Sequence, residues 1–231
     1  MNDRPHPQPT GRLNEPAAVR ALQFDDVVAT YVVDGVLALQ AAEFFPAIPT
    51  EYWSSDHGLF DSRARMVMSA GGLLIERDGG ALLIDAGLGP AIETSVVGPV
   101  NSGSMLDVLG SLGRRPEDID VLALTHLHFD HTGWAFTHGV DGQATKTFPN
   151  ARYMVSAQEW APYAHGEGAA GIATSQKLIG PLATSHTEFS DGDEIFPGVR
   201  AVVTPGHTSG HTSYVITSTN GARLVAFGDA F

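Results

Sequence analysis

The sequence contains no cysteine. That excludes disulfides, thiolate metal sites and a cysteine nucleophile. Any metal site must therefore be built from histidine and carboxylate. Positive charge is also scarce. The chain has 13 Lys+Arg against 26 Asp+Glu, a formal net charge of −13. A surface this acidic is a poor match for nucleic acid or an anionic membrane. No stretch approaches the ~18 consecutive apolar residues of a membrane span. The opening segment, residues 1–16, is broken by four prolines and carries no apolar leader core. The expectation is a mobile tail over about residues 1–20, no membrane partner and a cytoplasmic location. What is present suits one folded domain over residues 21–231. Hydrophobic residues make up 43% and charged residues 17% of 231, which argues against disorder.

Strand signals dominate both halves. Val27 to Val33 is β-branched and predicts a strand ending at an Asp34-Gly35 turn. A loop-rich segment with Phe44, Phe45, Tyr52 and Trp53 follows. Leu73–Glu76 and Ala81–Ile84 flank Asp78-Gly79-Gly80, a hairpin whose Asp-Gly pair supplies positive φ. Met105, Leu106, Leu109 and Leu112 recur at helical spacing before a Gly113 stop. Val121–Leu124 reads as a short buried strand. Ala151–Val155 reads as a strand, and Ser156 with Glu159 as a capping box opening a short helix limited by Pro162. Val199–Val203 is another strand. Tyr214–Thr217 and Arg223–Phe227 pair through Asn220-Gly221. The pattern predicts layers of mixed sheet and helix.

Four of these strands end in polar groups: Asp85, then His126 to His131, then His207, then Asp229. Strand ends held by a sheet give a metal site its rigidity and convergence. His126 and His128 are two apart, so in extended chain they point the same way. Asp130 and His131 follow at once, and a turn into helix after Gly133 would swing them to a neighbouring point. The spacing offers ligands for two adjacent metals. Imidazole and carboxylate suit Zn2+, with Fe or Mn as alternatives.

Thr125-His126-Leu127-His128-Phe129-Asp130-His131 resembles the HxHxDH signature of the metallo-β-lactamase superfamily. Ile84-Asp85-Ala86-Gly87, Thr204-Pro205-Gly206-His207 with His211, and Phe227-Gly228-Asp229 resemble its other strand-end motifs, in order. The resemblance covers about residues 27–231 and implies an α+β fold, a four-layer αββα sandwich. It also implies a first metal on His126, His128 and His207, and a second on Asp130, His131 and Asp229, with Asp229 bridging. Asp85 is either a turn cap or a residue that orients a ligand by hydrogen bond. His211 is a buried histidine bonded to backbone, or an orienting residue of the same kind. His6, His57, His138, His165 and His186 lack motif context.

One departure stands out. The family's dinuclear members supply a last histidine well beyond the bridging aspartate, and no histidine follows Asp229 here. The expectation is a C-terminally incomplete sandwich with a thinner second metal shell. The implied activity is metal-assisted hydrolysis of a small molecule, with Asp130 as the catalytic proton carrier. The N-terminal extension resembles the lactonase and organophosphate-hydrolase-like branch, so an ester or lactone substrate is expected. Phe45, Trp53 and Phe60 are candidates for lining an acyl pocket. The alternatives are thioester, β-lactam or phosphoester hydrolysis on the same fold, or a truncated metal-binding protein of low activity. A homodimer is an open option.

Overall fold

The computed structural model describes residues 14–53, 58–90, 94–95, 98–164, 174 and 176–230. His6, His57 and His165, and most of the N-terminal tail, lie outside them. Two sheets carry the fold. The larger runs, from one edge, through His186–Phe189, Arg152–Ser156, Val121–Ala123, Gly80–Ile84, Met66–Arg77 and Val27–Leu39. Beyond Val27–Leu39, Arg20–Phe24 pairs with its first half and Gly98–Asn101 with its second. The first four strands are mutually parallel and the rest antiparallel. The smaller sheet is an antiparallel meander of Glu194–Phe196, Val199–Val203, Thr212–Thr217 and Arg223–Ala226.

The central strands of the large sheet are apolar on both faces, and alternation divides their side chains between two cores. Leu74, Leu83, Leu122 and Tyr153 pack with Met105, Leu109 and Trp160 on the helical side. Their neighbours Ile75, Leu82, Val121 and Met154 face Ala201, Tyr214 and Ile216 of the small sheet. Helices, large sheet and small sheet thus form successive layers of an α+β sandwich. Among the described residues no helix is long and apolar enough to cross a membrane.

The hairpin over residues 73–84 forms as the Asp-Gly pair dictates: Asp78 and Gly79 have φ of 51° and 81°, and Leu73 pairs with Ile84. The Asn220-Gly221 hairpin forms with Tyr214 opposite Ala226. The helix over 105–112 is Met105–Ser111, with Gly113 at φ 74° past its end. The first described strand is Arg20–Phe24. Two expectations change. The helix after Ser156 continues through Pro162 to Ala164. Asp34-Gly35 is no turn. The strand runs on to Leu39, and the register slips by one between Val33 and Gly35, a β-bulge.

The bulge has a cause in long-range packing. A side chain on Gly35 would collide with the Asn101 carbonyl oxygen. Asp34 is fully buried, and its carboxylate accepts five hydrogen bonds. Leu88 and Gly89 donate backbone N–H to Oδ2 at 2.7 and 2.9 Å. Gly103 and Met105 backbones and the Trp134 indole donate to Oδ1 at 3.3, 3.0 and 2.7 Å. One carboxylate therefore fixes the loop after Asp85, the start of the 105–111 helix and the chain just past His131.

Candidate metal centre

The polar strand ends meet at one edge of the two sheets. Val121–Ala123, buried throughout, delivers His126 through Thr125. His128 is extended (φ −73°, ψ 155°), and a single helical turn, Phe129–Thr132, follows at once. The helix therefore begins before Gly133 rather than after it. It is locked to the Asp85 loop, with the Ala86 N–H donating to the His131 carbonyl at 2.7 Å and the Gly133 N–H to the Gly87 carbonyl at 2.7 Å.

Two donor sets converge. His126, His128 and His207 form one; His126, His131 and Asp229 form the other; within each, donor atoms lie within 4.8 Å of one another. The His126 ring is 4.2, 4.5 and 4.7 Å from the rings of His131, His128 and His207. His207 Nε2 is 3.0 Å from His128 Nδ1 and 3.5 Å from Asp229 Oδ2. His131 Nε2 is 3.6 Å from Asp229 Oδ1 and 3.8 Å from Asp130 Oδ2. Asp130 stands at the rim and belongs to neither set of three.

The hydrogen bonds fix how the rings present themselves. Thr125 Oγ1 donates to Asp85 Oδ2 at 2.8 Å, so it accepts the His126 Nδ1 proton at 3.0 Å. His126 Nε2 is then a bare lone pair, buried and with no hydrogen-bond partner. Such an orphan is costly unless something takes it up, and a divalent cation does so. Burial first, then the neighbouring histidines, pushes the His126 pKa far down, so the ring stays neutral. Burial also lowers that of His128. His131 behaves oppositely. Burial works against its charge, but Asp85, Asp229 and Asp130 outweigh it and raise its pKa well above the ordinary value. A cation between the same carboxylates replaces that proton. The His131 hydrogen bond, with the ring's charge, lowers the Asp229 pKa. The donor set thus fits a divalent metal of the zinc type.

Asp85, at φ 63°, lies beside the cluster rather than in it. Its carboxylate accepts the Thr125 N–H at 2.8 Å and meets His131 Nδ1 at 2.8 Å. His211 is fully buried and belongs to neither set. Its Nε2 accepts the Asp229 backbone N–H at 3.0 Å and its Nδ1 meets Thr204 Oγ1 at 2.9 Å. Glu159 was legible only as a capping residue. Its backbone N–H does donate to Ser156 Oγ at 3.0 Å, but its buried carboxylate reaches the histidine loops.

A cavity of about 230 Å³ opens beside Asp130, His131 and Asp229. It is lined by Tyr31, Leu37, Met68 and Leu73, not by the aromatics that the sequence suggested. Those instead contact each other: Phe45, which follows the short helix Ala41–Phe44, stacks on Trp53, the last residue of the helix Thr50–Trp53, at 5.9 Å, and Trp53 meets Phe60 edge-on at 6.1 Å.

A layered α+β sandwich with histidine and aspartate gathered at its sheet edge defines a class of fold built to hold metal at that edge. The chain belongs to the metallo-beta-lactamase superfamily, whose family model matches residues 73–231. It is 27% identical over 171 residues to an N-acyl homoserine lactonase of Bacillus sp, covering 68% of this chain and 62% of that protein. The chain thus spans about three fifths of the length of that curated relative. Among solved structures, it is similar to the hydrolase AbOPH of the beta lactamase superfamily (TM-score 0.67, 26% identity, covering 92% of this chain and 74% of that one). It shares its fold with AidC, a dizinc quorum-quenching lactonase (TM-score 0.73, 20% identity, 93% and 74%).

Proposed function

We propose that the protein is a hydrolase that uses two zinc ions to open an ester or lactone bond of a small molecule. One observation carries this reading: the buried His126 Nε2, with no partner within the protein, joins His128 and His207 in one donor set, and His131 Nε2 stands beside it within 3.6 Å of Asp229 and 3.8 Å of Asp130. The lactonase relatives support the choice of bond. In this reading His126, His128 and His207 would hold one ion, and His131, Asp229 and Asp130 would hold the other. Such ions acidify a water and polarise a carbonyl oxygen.

The chain's own residues do the rest. Asp85 fixes the His131 ring so that Nε2 faces the cluster. His211 anchors the Asp229 backbone. Asp130, at the rim, is placed to accept a proton from the attacking water and return it to the leaving alcohol oxygen. Tyr31, Leu37, Met68 and Leu73 give the adjoining cavity an apolar wall suited to an acyl chain. The Tyr31 hydroxyl stays protonated there, because burial raises its pKa to about 12.

The test is hydrolysis of a panel of acyl lactones and carboxylic esters by the zinc-loaded chain. His128→Ala should lower any turnover about 100-fold or more. Turnover that survives His128→Ala contradicts the site. Zinc bound without hydrolysis of any panel member leaves a metal-binding protein and removes the ester reading.

A further inference from the structure

The buried Glu159 carboxylate joins the two loops that carry the three-histidine set. Glu159 is 3% exposed and sits in the first turn of the helix Ala157–Ala164. A capping-box glutamate turns back to the backbone N–H of its cap residue. This one instead points away from its own helix. Its Oε1 accepts the backbone N–H of Leu127, the residue between His126 and His128, at 3.2 Å. Its Oε2 accepts the Thr208 hydroxyl at 2.6 Å and the Gly210 N–H at 3.0 Å, both just past His207. Ser156, the cap residue, donates its hydroxyl to the Gly210 carbonyl at 2.7 Å. Gly210 lies so close that a Cβ there would fall 1.9 Å from the Glu159 nitrogen. His128 and His207 are 79 residues apart in sequence, yet their facing nitrogens are 3.0 Å apart.

We propose that Glu159 is the positioning residue for the metal held by His126, His128 and His207, as Asp85 is for the ion at His131. The inference rests on the proposed metal reading. Glu159 touches no donor atom. It sets the spacing of the two loops through backbone and hydroxyl donors on both sides. The wiring makes the effect of Glu159 specific: Asp85 contacts His131 directly and His126 through Thr125, whereas Glu159 contacts only Leu127, Thr208 and Gly210, on the two loops of the three-histidine set.

The experiment is chelator competition on the zinc-loaded chain, at a temperature where circular dichroism shows each variant folded. His128→Ala identifies which phase of zinc release belongs to the three-histidine set. Glu159→Gln keeps the size but must turn an amide NH2 towards one loop's donors. It should weaken that phase on the order of 10–100-fold and leave the other in place. Thr208→Val, which keeps the carboxylate and removes one donor, should shift the same phase several-fold, and it serves if Glu159→Gln does not fold. Equal shifts of both phases, or no shift in the variants that fold, overturn the role of Glu159. A wild-type chain that binds no zinc overturns the metal reading itself and this inference with it.

Discussion

Asp34 shows how little a residue's local context says about its work. Asp34-Gly35 and Asp78-Gly79 are the same dipeptide. The second makes a turn because both residues take positive φ and the strands on either side pair with each other. The first lies inside one continuous strand, because donors 54 to 100 residues away gather on the Asp34 carboxylate. No short-range pattern encodes that. Replacing Asp34 by Ala would leave buried backbone and indole donors unpaired, and it should cost about 3 kcal/mol of stability in urea denaturation. An unchanged midpoint would show that the five bonds are not what holds this corner. Histidine chemistry was easier to read. His126, His128 and His131 lie within six residues, and the sequence places them at a strand end. The tautomer of His126 was not legible, because it depends on Thr125 and Asp85 together.

Elements with a strong local signature formed where the sequence predicts them. Val121–Ala123 is only three residues long, but an unbroken apolar run feeding a polar one is what the centre of a sheet requires. Its parallel pairing with Gly80–Ile84 and Arg152–Ser156 depends on crossovers and is not written in the strand itself. The single turn Phe129–Thr132 is set by contacts as much as by propensity. A Cβ on Gly133, which follows it, would fall 1.9 Å from the Leu88 carbonyl carbon and 2.2 Å from the Gly89 nitrogen. Backbone cannot yield as a side chain can. Gly133→Ala should therefore push the Asp130–His131 turn away from the Asp85 loop. The expected result is a loss of at least ~3 kcal/mol in thermal unfolding, with weaker retention of the metal at His131. A variant with wild-type stability would contradict the tight packing of these two loops.

At the scale of the whole molecule, a large mixed sheet and a small antiparallel one meet across a shared apolar core. Their strand ends bring together chemistry from residues 85 to 229. The strand Arg223–Ala226 is the last of the small sheet and pairs on one side among the described residues, with Val225 half exposed. An apolar strand edge of this kind recruits other chains. The chain should associate with rising concentration in light scattering, and Val225→Lys should reduce that association without altering zinc content. If Val225→Lys changes nothing, the edge is not the cause. The most direct measurement of the central claim is the zinc content of the purified chain after equilibration with zinc and removal of excess. Two ions per wild-type chain, falling to one in His128→Ala, is the result predicted from His126, His128 and His207 holding one ion and His131, Asp229 and Asp130 the other. No bound zinc, or two ions retained in His128→Ala, would contradict it.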